Sequence, residues 1–114
     1  MIISVGEKVH IVTRRFFEDD LRRHFAGIVE EASETAIRVK GFAWVYEQSS
    51  GDFIRRKAAR TMVFGLADAG LILTVLPGNV DLDTLRYAMD STRKRVLADD
   101  HGFEMNISEF GASR

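Results

Sequence analysis

Apolar and polar residues alternate along the first two thirds of the chain, and the alternation has the period of strands rather than of helices. Val9 to Phe16, VHIVTRRF, is β-branched and lies between Gly6 and the acidic turn Glu18-Asp19-Asp20, which predicts a first strand. From Leu21 to Ala32, one side carries Leu21, Arg23, Phe25, Gly27 and Val29, and the other carries Arg22, His24, Ala26, Ile28 and Glu30. Phe25 and Val29 mark the first side as the inward one. After the polar turn Ser33-Glu34, TAIRVKGFAWVYE sets Ile37 and Val39 against Arg38 and Lys40, and Gly41 marks a bulge or sharp bend. SSGD, residues 49 to 52, reads as a turn. The segment from Phe53 to Gly65 resumes as a fourth strand through Met62, Val63 and Phe64, with RRKAAR in its middle able to bend. LADAG then links it to LILTVLP, a fifth strand ended by Pro77-Gly78-Asn79.

Five strands joined by short connections exclude a parallel sheet, because each parallel crossover needs about a dozen residues. The expected fold is mainly β: a five-stranded, strongly bent antiparallel small barrel over residues 1–79, closed so as to remove exposed edges. Gly27 and Gly41 fall where such strands must curl. Residues 80–114 form a C-terminal extension, expected to pack on the same domain, and two readings of it stand. As a helix, Leu82, Leu85, Met89 and Val96 recur at helical spacing, Asp81 can cap, and Arg86, Asp90 and Lys94 stand at i,i+4. As strands, LRYAM, KRVLA and FEMNISEF are separated by the turn-like DST and DDHG, which is the favoured reading.

Composition narrows the function more than the fold. With 46% hydrophobic and 29% charged residues, and no apolar run of roughly 18 residues, the chain reads as one globular domain with no membrane span. MIISVGEKV does not have the form of a secretory signal, so a cytoplasmic location is expected. The absence of Cys removes disulfides, thiolate catalysis and Cys-ligated metals together. His10, His24 and His101 are far apart and fit no metal-ligand spacing, and no Gly-rich phosphate loop or nucleophile elbow occurs. No cofactor is expected, and DDHG at 99 to 102 reads as turn chemistry.

The 16 basic residues nearly balance the 17 acidic ones, which argues against a dedicated nonspecific DNA binder. Residues 1 to 60, however, hold 11 Lys/Arg against 9 Asp/Glu, and two basic clusters lie there. IRRKAAR supplies Arg55, Arg56, Lys57 and Arg60 with no acid between Asp52 and Asp68, and these are the leading candidates for phosphate contact. Arg14, Arg15, Arg22 and Arg23 flank the Glu18-Asp19-Asp20 turn and rank second. A tight hairpin there sets Arg15 opposite Arg23 and Arg14 opposite His24, so those charges call for compensating acids, from this chain or a neighbouring subunit, or for a polyanion. Nearby Phe16, Phe17, Phe25 and Trp44 are aromatics of the kind on which single-stranded nucleic acid stacks. Phe42, Trp44 and Tyr46 share one strand face, as core or as a subunit contact.

The five-strand order, the long bent second and third strands, the segment Phe25-Ala26-Gly27-Ile28-Val29 and the short link into a final apolar strand resemble the Sm-like small barrels over residues 5 to 77. SH3-like barrels share these features. The resemblance implies a ring of identical subunits in which the fourth strand of one pairs with the fifth of the next. The implied interface draws on Met62, Phe64, Leu71, Leu73 and Val75, with Trp44 as a further candidate. The RNA-reading positions of the family are not matched, since EEASETA, residues 30 to 36, lacks the family's Asn, and Ala67-Asp68-Ala69-Gly70 supplies only a glycine before the last strand. The sequence therefore predicts a non-enzymatic, ring-forming binding or scaffolding module. A single-stranded RNA or DNA binder using the basic clusters is the alternative, and a small enzyme using the DDHG region a third.

Overall fold

In the computed structural model, which describes residues 2–13, 23–47, 49–67 and 70–107, every regular element is a strand and every pairing is antiparallel. Among the described residues no helix is long and apolar enough to cross a membrane. The chain divides into two compact units, Met1–Gly78 and Asn79–Arg114.

The first unit holds β1 (Lys8–Thr13), β2 (Arg23–Ala32), β3 (Ala36–Glu47), β4 (Asp52–Arg55), β5 (Arg60–Gly65) and β6 (Leu71–Leu76). The sheet order is β4-β3-β2-β1-β6, with β5 on the same side of β3 as β4 but nearer its start. Strand β1 lies between β2 and β6, and Val9, His10, Ile11 and Val12 are all buried, as befits a strand covered on both faces. One face forms the core. Val9 and Ile11, Phe25 and Val29, and Ile37 and Val39 interlock there, with Met62, Phe64, Leu71 and Leu73 packed against them. Phe25 and Val29 thus face inward as their alternation requires, and burying a side chain of this size contributes about 2 kcal/mol.

Gly27 and Gly41 stand directly opposite each other in the β2–β3 ladder. A Cβ on Gly27 would lie 2.9 Å from the Gly41 Cα, and one on Gly41 would lie 2.7 Å from the Ala26 carbonyl carbon. Only paired glycines allow the two backbones this approach. Of the bulge or sharp bend expected at Gly41, the bulge is not there, since Gly41 keeps register and the irregularity falls between Val29 and Glu31. The extra residue, Glu30, sets Glu31 opposite Arg38, with which it forms an ion pair. Ser33 closes the following turn, its hydroxyl accepting the Ala36 N–H at 3.1 Å.

The expected single strand from Phe53 to Gly65 is two strands. Arg55 pairs with Trp44 and Arg60 with Gly41, so residues 56 to 59 span a stretch that β3 covers with Phe42 and Ala43 alone. The surplus residues leave the ladder, and the Arg56 N–H caps the break on the Ala43 carbonyl at 2.8 Å. Closure of the sheet also differs from expectation. Among the described residues β5 and β6 do not pair with each other, because the chain leaving β5 is held to the β2–β3 turn by the Leu66 N–H on the Thr35 carbonyl (2.8 Å) while β6 joins β1.

The second unit is the meander β7 (Arg86–Met89), β8 (Arg95–Ala98) and β9 (Glu104–Asn106), with Leu85, Val96, Leu97 and Ile107 buried. The helical alternative fails at Asp90. Its Oδ1 accepts from the Thr92 N–H (2.8 Å), the Thr92 hydroxyl (2.7 Å) and the Lys94 N–H (2.9 Å), and Arg93 turns the chain at φ 64. Local side-chain bonds of this kind compete with a helix and here win.

Candidate functional site

Three arginines, from the starts of β2 and β5 and from the break between β4 and β5, converge at one end of the core face. Arg23 opens β2 on the side of Phe25, opposite Thr13 and Val45. Arg60 opens β5 on the side of Met62 and Phe64, opposite Gly41. Arg56 follows β4 at the break described above. All three are exposed, and they line a cavity of about 410 Å³ whose floor includes Phe25, Met62 and Phe64. The Phe25 and Phe64 rings stand 5.4 Å apart, Phe25 almost wholly buried and Phe64 half-buried. The cavity therefore combines an aromatic and aliphatic floor with a cationic rim.

The rim is electrostatically uncompensated by described acids. The ion pairs of Arg38 with Glu31, Arg86 with Asp100 (2.7 Å) and His101 with Asp81 (3.2 Å) involve other residues, and no ion pair is shown for Arg23, Arg56 or Arg60 among the described residues. Clustered like charges over a low-dielectric floor repel one another, and an anion brought among them relieves that repulsion.

The two basic clusters of the sequence are thus one site in part. Arg56 and Arg60 join Arg23, whereas Arg55 has the opposite parity and lies on the other face, its guanidinium 4.0 Å from the centroid of the Phe42 ring. Lys57 is exposed and does not line the cavity. Arg14, Arg15 and Arg22 lie outside the described residues. The expected opposition of Arg15 to Arg23 is replaced by Thr13 opposite Arg23, and that of Arg14 to His24 by Val12 opposite His24. The sequence signal for the convergence was parity: Arg23 shares the side of Phe25 and Val29, and Arg60 that of Met62 and Phe64. What the sequence withheld was the register that brings Gly41 opposite Arg60 and Val45 opposite Arg23.

The candidate interface residues divide differently. Met62, Phe64, Leu71 and Leu73 are half-buried and turn toward the core, while Trp44 is enclosed at 1% exposure. Val75 is 47% exposed, and two residues of the same strands that the candidate set did not name are exposed as well, Val63 (64%) and Ile72 (41%). These three sit on β5 and β6, each of which has one edge without a strand partner among the described residues.

The face opposite the core carries an aromatic group in which the His24 ring lies 4.3 Å from Phe53 and 5.8 Å from His10. Burial lowers the His10 pKa from 6.5 to about 4, which keeps the ring neutral near neutral pH. In the second unit, DDHG is a turn built around Asp99. Its Oδ1 accepts the His101 and Phe103 N–H groups, both at 2.9 Å, and its Oδ2 accepts the Asp81 N–H at 2.8 Å. The Asp81 N–H leads the hydrogen bonds that hold the Asp99 carboxyl below its ordinary range. An acceptor so engaged is a turn anchor, ill suited to exchange protons near neutral pH. Among the described residues no three His, Asp or Glu side chains are grouped to hold a metal ion. No protein-family model, curated protein or solved structure matches the chain.

Proposed function

We propose that the protein is a non-enzymatic binding and scaffolding module, an Sm-like small barrel over residues 5 to 77 whose copies assemble into a ring. The observation that carries this reading is that β5 and β6 each have one edge without a strand partner among the described residues, and that Val63, Ile72 and Val75 on these strands expose apolar surface. Unpaired strand edges are templates for another chain, and proteins that stay monomeric blunt them with charge or Pro. From Arg60 to Gly65 and from Leu71 to Leu76 there is no Pro, and the one charge is Arg60 at the start of β5. A β5 edge meeting the β6 edge of the next copy is a head-to-tail contact, which closes into a ring when the rotation between copies permits. The resemblance to Sm-like proteins points to the same pair of strands.

The mass in solution tests this. Light scattering on the purified protein is expected to give a discrete multiple of the 12.9 kDa chain. The double substitution Val63→Lys and Ile72→Lys, on exposed positions, is expected to give monomers with an unchanged circular dichroism spectrum. A wild-type protein that is monomeric at all accessible concentrations overturns the proposal.

A further inference from the structure

We propose that the cavity rimmed by Arg23, Arg56 and Arg60 is a binding site for a phosphorylated nucleoside, free or as one residue of a single strand. Its volume of about 410 Å³ falls within the range of small-molecule sites, so a group of nucleotide size can be accommodated. The rim selects for phosphate. A guanidinium presents two parallel N–H donors matched to the oxygens of a phosphate or carboxylate. Three of them, with no described acid as partner, exceed what one singly charged carboxylate can neutralise. The floor selects for more than phosphate. Phe25, Met62 and Phe64 offer apolar and aromatic surface that inorganic phosphate would leave wet, whereas a base has a π-face to place against it.

Location separates this site from the family's RNA-reading loop. Arg23 and the β2–β3 turn at residues 33 to 35 lie at opposite ends of β2, about 30 Å apart along the strand. The site also differs from the open edges, since it uses the first residues of β2 and β5 and the β4–β5 break.

Fluorescence anisotropy with a labelled octauridylate, and competition by adenosine monophosphate and by inorganic phosphate, tests the assignment on the full chain. Saturable binding is expected at low salt. Arg56→Gln and Arg60→Gln are each expected to weaken it about tenfold, the usual worth of one charged hydrogen bond. Lys40→Gln, an exposed charge on the opposite face, is expected to leave it unchanged. Displacement by adenosine monophosphate identifies the free nucleotide as sufficient, and resistance to it identifies the strand as the ligand. The proposal is overturned if neither nucleotide nor oligonucleotide binds, if the two arginine variants bind as well as the wild type, or if inorganic phosphate itself displaces the oligonucleotide at the concentrations at which adenosine monophosphate is tested.

Discussion

His10 has no exposed surface in the middle of β1, and burial holds its pKa at about 4 against an ordinary 6.5. The folded protein therefore stays neutral at this position while the unfolded chain takes up a proton as the pH falls through 6.5. Stability is lost progressively from there to about pH 4 and changes no further below it, because both states are then protonated. A shift of this size corresponds to about 3 kcal/mol, a large share of the stability of a domain this small. Urea unfolding between about pH 7 and about pH 4 is expected to show that loss, and His10→Gln is expected to flatten the curve in the same window. An unchanged slope in the variant would assign the acid sensitivity to other groups. The same residue shows what alternation can reveal. Valine and isoleucine on both sides of His10 marked a strand, but nothing local announced that its second face would be buried as deeply as its first.

Among the elements, β1, β2, β3 and β6 were legible because each is a run of alternating or continuous apolar residues bounded by turn chemistry. The break between β4 and β5 was not, since RRKAAR contains neither Gly nor Pro and its cause is a mismatch of two ladders on a distant strand. The cationic cavity was half legible for the same reason: both basic clusters were visible, while their meeting depends on the β2–β3–β5 register. In the second unit, side-chain acceptors decide the structure, which propensity alone left open. Asp99 anchors the β8–β9 turn through three backbone N–H groups, and those bonds favour its ionised form. Its contribution is therefore complete above the ordinary carboxyl pKa of 3.8 and is lost as the pH falls through the lowered folded value. Asp99→Asn keeps the shape but trades a carboxylate oxygen for an amide donor that faces other donors. It is expected to lower the melting temperature at neutral pH and to speed amide exchange at His101 and Phe103, with little difference from wild type in strong acid. Equal melting temperatures at neutral pH would show the turn to be held by the backbone alone.

For the whole molecule, near-neutrality means that no long-range field gathers anions, and any such ligand is held by the local cluster of guanidiniums. The proposed assembly through strand edges and the proposed binding at the arginine rim are then expected to respond differently to salt. Backbone hydrogen bonds and apolar contacts along β5 and β6 involve no counterion release, whereas each phosphate neutralised at Arg23, Arg56 and Arg60 releases part of one. Three such contacts on a single strand imply that raising salt from about 50 to about 200 mM weakens octauridylate binding about 20-fold. The mass of the assembly by light scattering is expected to stay constant over the same range. An assembly that dissociates with salt would place ion pairs, not edges, at the subunit contact. Oligonucleotide binding indifferent to salt would place the ligand on the apolar floor without the arginines, and would remove phosphate from the account of the cavity.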